Sequence, residues 1–201
     1  MSDILPESFD DLRKKIGDLE DELEAELAKR RTTFHYTLRK RKVVFERAIT
    51  REHRKAKKTL FRFLRETRIL VSLTAPVIYA ALIPLAFLDL FVTFYQYVCF
   101  PIYGIETVPR RRYVVIDRHR LAYLNAIEKL NCAYCGYGNG VAAYAREVIA
   151  RTEKYWCPIK HADRTHTPHH LYYDFLEYGD ADGYRTLMEE RLRKARSTPK
   201  T

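Results

Sequence analysis

Between Ile69 and Ile105 the chain is one apolar stretch, interrupted by Pro76, Pro84 and Pro101 and carrying a single charge, Asp89. A helix of about 20 apolar residues spans a bilayer core. This run is nearly twice that, yet short of two comfortable spans. Pro76 and Pro84 each remove a backbone donor and crowd the preceding turn, which disfavours one straight helix. A single span over Val77–Phe100 would hold Asp89 at mid-hydrocarbon, at a cost of about 2.5–3.5 kcal/mol on insertion scales. Turning near Pro84–Asp89 instead brings the carboxylate toward water, with arms of roughly 14–18 residues. Residues 69–109 are therefore expected to form a re-entrant or thin-spanning hairpin, marked by Pro76, Pro84 and Asp89. A single span and a buried helix of a soluble protein are the alternatives.

Charge supports the same expectation. The formal net charge is +10, but residues 1–28 are acidic and residues 29–68 strongly basic. Arg54, Lys55, Lys57, Lys58 and Arg62 precede the apolar run, and Arg110, Arg111 and Arg112 follow it. Lys and Arg beside membrane segments favour the cytoplasmic side, and a hairpin keeps both clusters there, in contact with anionic headgroups. Tyr95, Tyr97 and Tyr103 suit an interfacial belt. The acidic N-terminus does not resemble a secretory signal. Four cysteines are few for a disulfide scaffold and fit a reducing compartment.

Residues 1–68 read as a long amphipathic arm. From about Asp11 to Arg68 there is no proline, and apolar residues recur every eleven positions: Ile16, Leu27, Leu38, Ile49 and Leu60, with Leu12, Leu23, Phe34, Phe45 and Ala56 alongside. An 11-residue repeat gives an almost straight stripe on a helix, which would be roughly 85–90 Å long. Such an arm suits a coiled coil between copies, a homo-oligomer or larger membrane complex, or a lipid surface contact. Nucleic acid is the weakest reading, because no recognition fold accompanies the basic block.

Residues 110–179 carry the chemistry-bearing side chains. Asp117 reads as a helix N-cap, and the glycine-rich stretch Gly136–Gly140 reads as the turn of a helical hairpin. Cys132-Ala-Tyr-Cys135 and Cys157-Pro-Ile-Lys-His161 have ligand types that suit tetrahedral zinc, with iron or iron–sulfur as lesser choices. One straight helix between the pairs would hold them far apart. A single site of Cys132, Cys135, Cys157 and His161, a split arrangement with Asp117 and His119 near the second pair, and thiols that only pack or cap all stay open. A redox role for the Cys-x-x-Cys pair prefers a helix N-terminus. Glu128 and Glu147 are expected to form salt bridges with Arg120 or Arg151 rather than a carboxylate metal site, and His166, His169 and His170 to lie in an exposed loop. Residues 180–201 read as a short basic helix and a tail.

The strings Asn131-Cys-Ala-Tyr-Cys135-Gly-Tyr-Gly-Asn-Gly140 and Trp156-Cys-Pro-Ile-Lys-His161-Ala resemble a group of bacterial membrane proteins of unknown activity. The likeness covers about residues 84–162, and it implies an inner-membrane setting without an activity to transfer. The expectation is thus an all-α protein with a long N-terminal helix, a membrane hairpin and a small helical-hairpin domain. It would be a membrane-anchored, metal-binding scaffold with both termini in the cytoplasm. A redox or metal-dependent enzyme built on Cys132, Cys135 and Cys157 is the alternative.

Overall fold

A computed structural model describes residues 5–33, 36–39, 42–45, 47–66 and 68–197. Helices dominate: α1 (Leu5–Thr33), α2 (Arg47–Lys55), α3 (Leu60–Glu66), α4 (Ile69–Ala80), α5 (Leu82–Tyr103), α6 (Ala126–Trp156) and α7 (Ala181–Ser197). A two-stranded ribbon, β1 (Tyr36–Arg39) and β2 (Lys42–Phe45), lies between α1 and α2. The chain divides into two units, Met1–Thr67 with Asp117–Ala133, and Arg68–Ile116 with Tyr134–Thr201.

In the first unit the expected rod is not one helix. α1 stops at Thr33, where the Thr33 hydroxyl bonds back to the Lys29 carbonyl at 3.4 Å. The chain then forms an antiparallel ribbon, pairing Tyr36 with Phe45, Thr37 with Val44 and Leu38 with Val43. Aromatic and β-branched side chains favour extended backbone, and here that preference overrides the eleven-residue pattern. Phe34, a member of that pattern, lies outside the described residues, as do residues 198–201 of the expected tail.

The helix expected from Asp117 also begins later. Arg118–Arg120 make a 3-10 turn that the Asp117 side chain does not cap. Asn125 opens α6 instead. Its Oδ1 accepts from the Glu128 amide at 3.0 Å, and Glu128 Oε2 accepts from the Asn125 amide at 2.8 Å. This reciprocal capping box satisfies two donors that a helix start leaves bare.

In the second unit α4 and α5 form one helical run rather than a hairpin. Ala81 between them stays in the right-handed region (φ −62°, ψ −14°). Pro84 has no N–H for the Ala80 carbonyl, so the register slips. The Ala81 amide bonds Ile78 O at 3.2 Å, and the ordinary pattern resumes with Leu85 N to Ala81 O at 3.3 Å. Proline is tolerated in a first turn, and Pro84 occupies that place in α5. Asp89 lies farther along the same helix, so the reversal expected at Pro84–Asp89 does not occur. The run ends at Gly104, whose φ of 67° lets the Ile105 amide bond Phe100 O at 2.9 Å, a Schellman ending.

The chain then doubles back along α5 as irregular backbone with a 3-10 turn at Arg110–Arg112. It next crosses α6 at Gly140. A Cβ there would lie 2.7 Å from Val114 Cα and 2.8 Å from Tyr113 O, so the glycine permits close approach. The stretch Gly136–Gly140 is therefore helical, and the expected helical hairpin is replaced by one helix of 31 residues.

α5 and α6 run in the same direction. The Tyr95 and Thr152 hydroxyls are 3.1 Å apart, and Tyr103 stacks on Tyr155 with centroids 5.2 Å apart. Val92, Phe100, Val108, Tyr144, Ala145 and Val148 form the core between α5, α6 and the returning segment. Arg191 of α7 closes the end of α6, donating to the carbonyls of Tyr155 and Lys154. Those carbonyls would otherwise lack partners at a helix end. Burial pushes the Arg191 pKa down.

Candidate functional site

Ile69–Tyr103 is long and apolar enough to cross a membrane, and only 11 % of its apolar window is buried within the molecule. The two helices differ in cover. Along α4 no residue is buried, and Ile69 is 84 % exposed. Along α5 the outer side exposes Ile83, Phe87, Phe91, Phe94 and Ile102, while the opposite side is covered by α6 and the returning segment. The result is a contiguous apolar surface far larger than scattered exposed side chains would make.

The covered side of α5 is a polar seam. Asp89, Thr93 and Gln96 fall four and three positions apart, so they share a helical face. Arg110 grips Asp89 with two hydrogen bonds, Nε to Oδ1 at 2.7 Å and Nη2 to Oδ2 at 2.6 Å. The Tyr137 hydroxyl donates to Oδ2 at 2.9 Å. Forked pairing of this kind is the strong form of ion pair. Hydrogen bonding to Asp89 raises the Arg110 pKa, and burial, with that same carboxylate, raises Tyr137. Gln96 is 1 % exposed. Its Oε1 accepts from the Val108 amide at 2.8 Å, and its Nε2 donates to the Val108 carbonyl and the Tyr144 hydroxyl. Tyr144 in turn lies 3.3 Å from the Thr93 hydroxyl. The seam thus pins the returning segment to the apolar helix, and Asp89 serves as an anchor.

The expected metal ligands are not assembled. Cys132 and Cys135 lie one turn apart within α6. Cys157 follows its last residue, so Cys135 and Cys157 are separated by about 33 Å of helix at the standard rise. That distance is incompatible with zinc–sulfur bonds of about 2.3 Å. His161 stacks on Tyr172 at 6.0 Å, and its amide donates to the Tyr172 hydroxyl at 2.7 Å. Asp117 and His119 lie at the 3-10 turn of the first unit. Among the described residues no group of three or more His, Cys, Asp or Glu is placed to hold a metal ion, and the helix between Cys135 and Cys157 keeps those two from sharing one zinc. The dithiol also lies inside a helix, away from the N-terminus that would activate it.

Among the basic residues expected to meet headgroups, several serve the protein itself. Lys55 pairs with Glu52 at 2.8 Å, and Lys58 and Arg62 both reach Glu66 at 2.7 Å. These hydrogen bonds, Lys58 first, lower the Glu66 pKa. Arg54, Lys57, Arg111 and Arg112 are exposed.

One polar cleft was not foreseen. Tyr113, Ala143, Arg146, Glu147, His169 and His170 line a cavity of about 260 Å³. Glu147 pairs with Arg151 at 2.9 Å, one of the expected bridges, and lies 3.5 Å from His170 Nδ1, whereas Glu128 is engaged in the capping box with Asn125. His169 Nε2 meets Glu153 at 2.9 Å. His166 and His170 are exposed as expected, whereas His169 is half-buried and tied to α6 through Glu153. Burial, reinforced by Glu147, raises the Tyr113 pKa.

No protein-family model, curated protein or solved structure matches the chain. Function therefore rests on the surfaces just described.

Proposed function

We propose that this protein is a membrane-anchored scaffold on the cytoplasmic face of the bacterial inner membrane. Its α4–α5 run attaches it to lipid, and α1 joins copies together. The exposed apolar surface of Ile69–Tyr103 carries the reading, because water-facing area of this extent costs free energy until lipid covers it. Arg68 before that surface and Arg110–Arg112 after it supply the charge that anionic headgroups attract. The test is flotation of purified protein with vesicles. The protein should rise with vesicles containing anionic phospholipid and less completely with neutral ones. A protein that stays at the bottom with both would refute attachment.

The α1 stripe supports the oligomeric half of the proposal. Leu12, Ile16, Leu19 and Leu23 alternate four- and three-residue steps and are all exposed, the pattern of a seam that two helices share. Replacing Leu19 with Lys should lower the mass seen by light scattering in detergent while leaving flotation unchanged. An unchanged mass would remove α1 as the joining element.

A further inference from the structure

We infer that α5 lies in the plane of one leaflet and does not cross the bilayer. This rests on the membrane attachment proposed above and adds how the helix is seated. At Asp89 and Gln96 the neighbour of α5 is the returning segment, which is largely irregular backbone and carries Arg110, Arg111 and Arg112 in succession. Lipid-exposed irregular backbone does not occur within hydrocarbon, and arginines there are costly. Farther along, the partner is the charged end of α6, with Arg146, Glu147, Arg151 and Lys154. The seam holds these groups at fixed positions beside α5, so its second half cannot sit in the bilayer interior.

Among the described residues that leaves Ile69–Leu88 as the stretch able to cross, about 30 Å long at the standard rise. Crossing there would put Arg68 on the opposite face from Arg110–Arg112. A helix lying flat meets both conditions. Its outer side, Phe87, Phe91, Phe94 and Ile102, enters the acyl boundary, while α6 and the arginine segment cover its inner side from the aqueous side. Both basic ends then stay at headgroup level. A hairpin is not required for them to share a face.

The test uses the full chain in anionic vesicles with Trp156→Phe, which removes the single tryptophan. Tryptophan is then placed singly at Val77, Phe87, Phe94 or Ile102, all on the exposed surface, and quenched by lipids brominated at defined acyl positions. In-plane seating predicts that the Phe87, Phe94 and Ile102 reporters read one shared depth, about 5–10 Å below the headgroups. A crossing by Ile69–Leu88 predicts strong quenching of the Val77 reporter at the bilayer centre and none at Phe94 or Ile102. A crossing by α5 predicts depths spread by about 22 Å between Phe87 and Ile102. Either crossing pattern overturns the inference. Quenching at none of the four positions refutes membrane attachment itself.

Discussion

Replacing Phe87, Phe91 and Phe94 together with Glu should weaken vesicle binding by about 10²- to 10⁴-fold while leaving the fold intact. All three side chains are exposed, and Phe87 and Phe91 stack on each other, with centroids 6.3 Å apart. Their loss therefore removes no core contact. Burying a whole Phe side chain contributes roughly 1.5–3 kcal/mol. With only the outer part of each ring reaching lipid, the three together amount to about 3–6 kcal/mol. That corresponds to roughly a 10²- to 10⁴-fold weaker partition, and three carboxylates facing anionic headgroups weaken it further. Flotation titrated against lipid concentration gives the number, and circular dichroism of the same sample checks the helices. Binding reduced less than tenfold, with helicity retained, would locate the lipid contact elsewhere.

The second large effect is expected at Gln96, inside the seam. Gln96→Leu nearly conserves volume but leaves the Val108 N–H and C=O without the side chain that satisfies them, and it removes a partner of the Tyr144 hydroxyl. An orphaned buried polar group costs about 1–3 kcal/mol, so the variant should lose on the order of 2–5 kcal/mol. For a unit of this size that is a fall in Tm of roughly 5–15 °C, read by thermal unfolding in detergent. The returning segment should loosen first, since Val108 is its buried attachment to α5. That loosening would appear as faster amide exchange around residues 105–114. A Tm within 1 °C of the parent would show that the seam does not hold the segment.

The two substitutions also separate two properties of one helix. The Phe replacements act on the outward side and should change lipid affinity without changing stability. Gln96→Leu acts on the inward side and should do the reverse. A chain in which either change moved both properties together would not have the two-sided α5 described above.

Much of the architecture was legible in the residues. The apolar run and its basic ends follow from composition, and of the bridges expected for Glu128 and Glu147 the structure has Glu147–Arg151, while Glu128 caps α6 instead. The seam was legible too, since Asp89, Thr93 and Gln96 share a helical face. Asp89 is costly in hydrocarbon only while it lacks the Arg110 partner that it has here. Where the structure departs from the sequence pattern, the cause is shared: a local signal takes its meaning from a partner distant in sequence. Prolines at Pro76 and Pro84 suggested a reversal, yet Pro84 occupies a first turn, where its missing donor costs little. The glycines at Gly136–Gly140 suggested a turn, whereas Gly140 is small because Tyr113 and Val114 cross it. The eleven-residue stripe continued on paper beyond Thr33, where β-branched and aromatic residues prefer a ribbon. Cys135 and Cys157 looked like fellow ligands only while the helix between them could be imagined as folded back.

By itself, the order of amino acids determined that residues 69–105 would be one apolar stretch with basic residues on both flanks, because hydropathy and charge are read residue by residue; that it runs on as helix through Ala81 instead of turning back is visible only in the structure. Only the tertiary structure decided which half of that helix remains bare. Cover on α5 comes from Arg110, Tyr137 and Tyr144, which lie 21 to 51 positions away in sequence from the residues they bond. Contacts at that separation depend on how α6 and the returning segment pack, which no local pattern encodes.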